Sequence, residues 1–337
     1  MINEIIKRDL KKQHYYIVGN HSATKICGWT GKMLRNEGAC YKHKFYGIKS
    51  NQCLQMSTCL SCANNCVICW RSNQIPNVKG WKGEVDNPEK IFKESLEAQK
   101  KLLSGFGGYK EINKKFLEEA REVRHVALSL IGEPILYPKI NDFIKILKEN
   151  KISIFLVTNG QYPEQIKNLD KITQLYLSLD ASNEELLKEI DKPLFKDFWK
   201  RLERSLEYLK GRKDRTCIRL TCIKGINMSD MKDYAELIKK GDPDFVEVKG
   251  YMFIGSSRER LEEKNMPLHE DVVEFSKILC KELEDYEIVS EHILSRVVLL
   301  AKKSYKKKGK WFTWIDFNSG NELETPEVGL SGKGTLS

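Results

Sequence analysis

The amino-acid sequence predicts an α/β fold, a curved and incomplete (β/α)6 barrel with extensions at both ends. Three observations lead to it. Between residues 53 and 250, six apolar runs of about six residues alternate with helical patterns, which is how βα units on a parallel sheet read. Several runs close in small polar or turn-forming residues, and in parallel barrels the loops after the strands carry the chemistry. At 337 residues, with 41% hydrophobic and 31% charged, the chain can bury one sizeable core.

Taken in order, residues 4–13 read as a short basic helix, and the rest of the first 50 residues are irregular, rich in Gly, Cys and Lys. A short strand over 53–56 leads into a cysteine loop. A polar linker over 74–88 holds Pro76, Gly80, Gly83 and Pro88. Amphipathic helices over 88–103 and 111–122 flank the turn Gly105-Phe106-Gly107-Gly108. Strands over 125–131, 153–157, 174–179, 217–223 and 244–249 then alternate with helices over 139–149, 163–169, 183–190 with 194–210, and 229–240. Past Gly250 the rhythm changes. A helix over 268–284 is followed by 287–301, which reads as a short strand and an apolar helix. The basic run 302–310 leads into Trp311-Phe312-Thr313-Trp314. Beyond Glu324 no core-forming pattern remains, so the tail is expected to be disordered.

No apolar run approaches 18 residues and the first residues lack a signal-peptide core, so a cytoplasmic protein without membrane contact is expected. Ten cysteines in that setting suggest metal ligands over disulfides. Seven of them crowd between Cys27 and Cys69. The net charge of +10 leans weakly toward a polyanionic partner.

Chemistry concentrates in residues 62–71, CANNCVICWR. Cys62, Cys66 and Cys69 are spaced x3 and x2, so three thiolates can converge on one small object. Zinc sites commonly use two Cys-x2-Cys knuckles, and a cuboidal iron–sulfur cluster normally takes four protein ligands. Three thiolates would leave one iron of a [4Fe–4S] cube open to a cosubstrate. On spacing alone, a structural zinc loop or plain reduced thiols are the alternatives. Cys59 adds a further Cys-x2-Cys with Cys62. Cys27, Cys40 and Cys53 form a second trio with twelve residues in each interval. That spacing is no local motif, and only a fold can unite it; beside a cluster loop, a second metal site is expected. Polar groups also stand at the ends of three strands: Gly132-Glu133-Pro134, Thr158-Asn159-Gly160, and Ser178 with Asp180. Each alone is ordinary turn chemistry.

The cysteine spacing resembles the signature of the radical S-adenosylmethionine (SAM) enzymes. Gly132-Glu133-Pro134 resembles their Gly-Gly-Glu-Pro motif, with Ile131 in place of the first Gly. The resemblance implies a TIM-like partial barrel of the radical SAM type, with a [4Fe–4S] cluster on Cys62, Cys66 and Cys69 whose open iron chelates SAM. It implies that an electron from an external donor cleaves SAM to a 5′-deoxyadenosyl radical. Gly132, Glu133 and Pro134 would receive the SAM ammonium group, Ser178 and Asp180 the ribose hydroxyls, and Asn159 would face the same cavity. Ile68 would pack on adenine.

Residues 35–70 (RNEGACYKHKFYGIKSNQCLQMSTCLSCANNCVICW), with 248–252 (VKGYM), 295–301 (SRVVLLA) and 314–316 (WID), resemble archaeal tRNA 4-demethylwyosine synthases. That resemblance implies condensation of N1-methylguanosine, beside the anticodon of tRNA-Phe, with two carbons of pyruvate to give a tricyclic base. Eukaryotic relatives carry an additional flavodoxin-like domain, which is not expected here. A second [4Fe–4S] cluster on Cys27, Cys40 and Cys53 would again have an open iron for pyruvate. Alternatively Lys42, two residues from Cys40, would hold pyruvate as a Schiff base, given burial or cationic neighbours to neutralise its amine.

The expected segments are an N-terminal extension with the second iron–sulfur site (1–57), the partial barrel (58–285), a basic and aromatic C-terminal extension (286–322) and the tail (323–337). A monomer is expected. One rival is a zinc- or iron–sulfur-bearing RNA-binding protein without catalysis; another is a radical SAM enzyme acting on a different substrate, such as a peptide. The lysines of 302–310 with Tyr305, Trp311 and Trp314 favour RNA, since Lys neutralises phosphate and rings stack on unpaired bases.

Overall fold

The computed structural model describes residues 4–326. Its centre is a ten-stranded sheet of order β1-β2-β3-β4-β5-β6-β7-β8-β10-β9. Helix α1 (Glu4–Lys12) precedes the hairpin β1 (Tyr16–Val18) and β2 (Ser22–Thr24); α2 (Gly28–Leu34) and α3 (Tyr41–Tyr46) lead to β3 (Cys53–Ser57). Next come α4 (Pro88–Ser104), α5 (Lys114–Glu119), β4 (His125–Leu128), α6 (Ile140–Glu149), β5 (Ser153–Thr158), α7 (Pro163–Lys167) and β6 (Gln174–Ser178). Helices α8 (Glu184–Asp191) and α9 (Phe198–Lys210), β7 (Arg215–Cys222), α10 (Met231–Gly241) and β8 (Phe245–Gly250) complete the alternation. Helix α11 (His269–Lys281) and the strands β9 (Tyr286–His292) and β10 (Val297–Lys302) follow.

Strands β3 to β8 pair in parallel and in chain order, the six-stranded partial barrel that the alternation predicts. The strands are mainly apolar because both faces are covered, with the charged groups of β7 and β8 on the lumen face. The outer residues Leu54, Val126, Ile154, Leu175, Ile218 and Val246 share one core with the surrounding helices. The alternate residues Phe155, Tyr176, Cys217 and Phe245 face the lumen and form a separate core at its floor.

Two local readings change. Residues 287–301 form no α-helix, only a single 3-10 turn over Ile293–Ser295: β9 and β10 make an antiparallel hairpin, and β10 extends the sheet by pairing with β8. The run Val297-Val298-Leu299-Leu300-Ala301 is buried on both faces, and a short run of that kind has no period to separate strand from helix. The irregular N-terminal region likewise contains a hairpin, with β2 antiparallel to β3.

The floor of the lumen is closed by distant segments. Phe45 and Tyr46 of α3 join Phe245, Tyr305 and Ile315 there. The Thr313 hydroxyl donates to the Phe45 carbonyl at 2.6 Å, the Trp314 indole N–H to the Lys44 carbonyl at 2.9 Å, and Arg215 Nη2 to the Thr313 carbonyl at 2.8 Å. Tyr305 and Trp314 therefore hold α3 in place, and Tyr305 is buried. The basic run is also occupied: Lys302, Lys306, Lys307 and Lys310 pair with Asp242, Glu287, Glu322 and Glu324 at 2.7–2.9 Å. It follows β10 at the end of the barrel where β8 begins, away from the strand C-termini. Four lysines of the expected RNA-binding segment and two of its aromatics thus also have partners within the chain. The expected disordered tail falls largely on residues 327–337, outside the described residues.

Candidate active site

The cysteine loop after β3 is pinned from two sides. The amides of Asn65 and Val67 donate to the carbonyls of Asp191 (2.9 Å) and Ile190 (2.7 Å), C-terminal groups of α8 that the helix itself leaves unpaired. Arg260 donates to the carbonyls of Val67 (3.2 Å) and Cys69, and to the Asn73 side chain. Cys62, Cys66 and Cys69 are half-buried and unbridged. Burial pushes the Cys62 thiol up to about 12; Cys66 is raised too, by burial first, then by Asp191 and the other two thiols. Cys59 stands apart from the three. Its buried thiol approaches the Ser61 carbonyl at 3.6 Å and lines a cavity of about 200 Å³ with His21 and Trp81.

The strand-end residues gather against this loop. Gly132 has φ +74°, and a β-carbon there would collide with the carbonyls of Cys59 and Leu60. Position 132 thus carries the left-handed turn, while Ile131 packs with Ile6, Leu10 and Tyr15; the missing first glycine of the motif is not needed for the bend. Glu133 N donates to the Ser61 carbonyl at 2.9 Å, and Glu133 Oε2 accepts the Asn159 amide at 2.8 Å. Burial outweighs that hydrogen bond and pushes the Glu133 carboxyl up to about 7. Pro134 opens a single helical turn, and its carbonyl accepts the Thr58 hydroxyl at 2.9 Å. The Asn159 side chain turns to the cysteine loop, with Nδ2 at 3.2 Å from Cys62 Sγ. Ile68 is half-buried against the barrel core. Ser178 pairs with Arg219 in register and shares its face, and the buried Asp180 is raised by desolvation while Thr221 and Arg219 oppose the rise.

Gly132→Ala tests this packing. A left-handed φ costs a β-carbon-bearing residue about 1–2 kcal/mol, and overpacking about 1–3 kcal/mol more. The expected result is a lower denaturation midpoint together with weaker SAM binding. An unchanged midpoint by chemical denaturation would refute the close approach.

Residues far apart in sequence make the second trio. Cys27 and Cys40 stand just before α2 and α3, and Cys53 opens β3. Ser50 ties them: its hydroxyl accepts the Cys40 amide at 3.0 Å, and its carbonyl accepts the Thr30 hydroxyl of α2 at 2.8 Å. Burial raises the Cys53 thiol, and Cys40 and Cys27 raise it further. Lys42, on the first turn of α3, enters the lumen with its Nζ 4.4 Å from the Tyr176 ring and 5.4 Å from that of Phe155. It is buried, and that desolvation lowers its pKa; Arg219 acts in the same direction and Glu247 against it.

Three lumen groups escaped the sequence reading. Arg219 and Glu247 are register partners on β7 and β8, and Thr221 pairs with Lys249 beyond them. Burial, aided by Arg219, lowers the Lys249 ammonium to about 8, and its Nζ donates to the Ser295 carbonyl at 2.8 Å. Glu247 Oε1 accepts the Tyr46 hydroxyl at 2.8 Å. The signal was present as charged residues at alternate positions in otherwise apolar strands, which puts Glu247 and Lys249 on one face.

Each trio offers three unbridged thiols, a donor set that suits a [4Fe–4S] cluster with one open iron. Among the described residues, no three His, Cys, Asp or Glu side chains converge closely enough to hold one metal ion. Cys62, Cys66 and Cys69 could hold one such cluster, and Cys27, Cys40 and Cys53 another. Among the described residues no helix is long and apolar enough to cross a membrane.

Comparison with known proteins agrees with this geometry. Residues 56–238 match the radical SAM superfamily and residues 240–302 the family described as wyosine base formation. The chain is 46% identical, over its full length, to the S-adenosyl-L-methionine-dependent tRNA 4-demethylwyosine synthase TYW1 of Pongo abelii, covering 46% of that protein. It spans about half the length of the curated relatives it matches. A solved structure of TYW1 with a lysine–pyruvate adduct bound superposes with a TM-score of 0.82 at 36% identity, covering 92% of this chain and 99% of the other. The crystal structure of archaeal TYW1 gives a TM-score of 0.75 at 33% identity, with the same coverages. The partial barrel, the three-cysteine loop and these likenesses agree: the chain belongs to the radical SAM superfamily and, within it, to the TYW1 family.

Proposed function

We propose that this protein is a SAM-dependent tRNA 4-demethylwyosine synthase. It joins the methyl carbon of N1-methylguanosine in tRNA-Phe to the ketone carbon of pyruvate and breaks the bond to the carboxylate carbon, which leaves as a one-carbon fragment. The third ring closes as the guanine amine displaces the lysine from the imine carbon. The observation that carries the reading is the pairing of a SAM-type cysteine loop at the strand ends with a buried lysine, Lys42, inside the same lumen. A [4Fe–4S] cluster on Cys62, Cys66 and Cys69, when bound, would supply the electron that cleaves SAM and so the radical that takes hydrogen from the methyl group.

The protein's own groups do the rest. Gly132 and Glu133 receive the SAM ammonium group, Ser178 and Asp180 its ribose, and Ile68 its adenine, with Asn159 beside the same site. Lys42 attacks the pyruvate ketone as a neutral amine, and the imine makes that carbon a better radical acceptor. Arg219 and Lys249, in the same lumen, supply positive charge for the pyruvate carboxylate, while Glu247 and the Tyr46 hydroxyl offer a proton route. The low dielectric of the closed floor strengthens each of these interactions. The second trio would hold another cluster, whose open iron is the alternative anchor for pyruvate. The protein acts as a monomer with an external electron donor in the cytoplasm.

Anaerobic reconstitution followed by assay with SAM, pyruvate and N1-methylated tRNA tests this directly. Tricyclic base is expected; SAM cleavage without it would point to another substrate. The tRNA is expected to approach the strand C-termini and not the basic run. Changing Lys302, Lys306, Lys307 and Lys310 to Ser should leave tRNA affinity within about twofold and its salt slope unaltered, because the run follows β10 at the end of the barrel where β8 begins, away from the strand C-termini. A slope reduced by roughly 0.9 per lysine would return the run to the RNA interface.

A further inference from the structure

We infer that Asn159 is a positioning residue that sets the reduction potential of the SAM-cleaving centre by donating its side-chain N–H to the Cys62 sulfur. The inference rests on the reading of Cys62 as a cluster ligand and goes beyond it.

Four contacts define the geometry. Asn159 Nδ2 lies 3.2 Å from Cys62 Sγ. The orientation of the amide is not arbitrary: the backbone N–H of Gln161, which can only donate, meets Asn159 Oδ1 at 2.9 Å. The oxygen is thereby assigned, and the atom at the sulfur must be the NH2 group. The main-chain N–H of Asn159 donates in turn to Glu133 Oε2. The Asn64 amide reaches the same sulfur at 3.4 Å. Asn159 thus links the carboxylate proposed for the SAM ammonium group to one of the proposed cluster ligands, and it does so from the rigid end of β5.

The physical effect follows from charge. A one-electron reduction adds negative charge that is shared with the thiolate sulfurs. A fixed N–H dipole aimed at one of those sulfurs stabilises the reduced state more than the oxidised state, so it raises the potential. An exposed amide would be replaced by water at little cost. This one is half-buried and pre-oriented by Gln161, and among the described residues no other side chain donates to that sulfur.

The test uses the full chain, reconstituted anaerobically. The midpoint potential is read by electron paramagnetic resonance, on the signal that changes when SAM is added. Asn159→Asp keeps the Oδ1 acceptor for Gln161 and replaces the donor by a carboxylate oxygen; Asn159→Ala removes both. Both variants keep the backbone bond to Glu133. The expected result is wild-type iron content with a lower midpoint. The shift should reach at least a tenfold change in the reduction equilibrium, about 59 mV for one electron, and be larger for Asp than for Ala. Loss of one exchangeable-proton coupling to the reduced cluster is expected in both. An unchanged midpoint and unchanged proton coupling at full iron content would overturn the inference. A wild-type protein with no SAM-responsive iron signal would instead overturn the underlying assignment of Cys62.

Discussion

Lys42→Ala is expected to keep its full iron content, bind SAM and cleave it, yet form almost no tricyclic base. The side chain is buried in the lumen against Tyr176 and Phe155, so it meets no solvent that could stand in for it. Holding two reactants in attack geometry is worth roughly 7–11 kcal/mol of barrier. Loss of the anchor should therefore lower the rate of product formation by at least about a hundredfold. Burial, the largest influence on Lys42, favours the neutral amine, and Arg219 reinforces it. Lys42→Arg should fail as well, because a guanidinium stays charged and forms no imine. Borohydride with labelled pyruvate should mark a peptide containing Lys42. Label on Lys249 would transfer the role to the other lumen lysine, whose ammonium is likewise lowered by burial, to about 8. Full activity of Lys42→Arg with no trapped adduct would leave the second trio as the anchor.

Replacing Cys62, Cys66 and Cys69 together by Ala should abolish SAM cleavage completely and halve the iron, from about eight to about four per chain. The complementary change of Cys27, Cys40 and Cys53 should also halve the iron but spare SAM cleavage while abolishing the tricyclic product. This asymmetry follows from position. The first trio is on the loop beside Glu133 and Asn159, whereas Cys53 and Cys40 of the second lie close enough to Lys42 to act on its charge. Iron measured at one cluster's worth in the unaltered chain would eliminate the second cluster. Zinc in its place would revive the structural role. Because folding and metal binding are linked, circular dichroism of each variant should accompany the iron assay.

The local patterns of the sequence already contained the barrel and put three cysteines on one loop. A parallel strand buried on both faces is a mainly apolar run, and β3 to β8 overlap the runs that predicted them. The x3 and x2 spacing of Cys62, Cys66 and Cys69 is a property of one short loop, and Gly132-Glu133-Pro134 of one turn. Chemistry that resides in a single segment survives being read one segment at a time.

Tertiary structure alone decided the rest. Cys27, Cys40 and Cys53 become neighbours through Ser50 and Thr30, and no spacing rule encodes that. Arg219, Glu247 and Lys249 acquire their setting from strand register; a charged residue in a strand has no assigned neighbour until the adjoining strand is placed. The hairpin at 286–302 was hidden because a short apolar run suits a buried helix or strand equally. The lysines after it appeared free because their carboxylate partners Asp242 and Glu287 come from other elements. The indole N–H of Trp314 finds the Lys44 carbonyl only once the chain has folded. In each case a side chain's function depends on which distant atoms share its low-dielectric surroundings, and only the folded chain brings those atoms together.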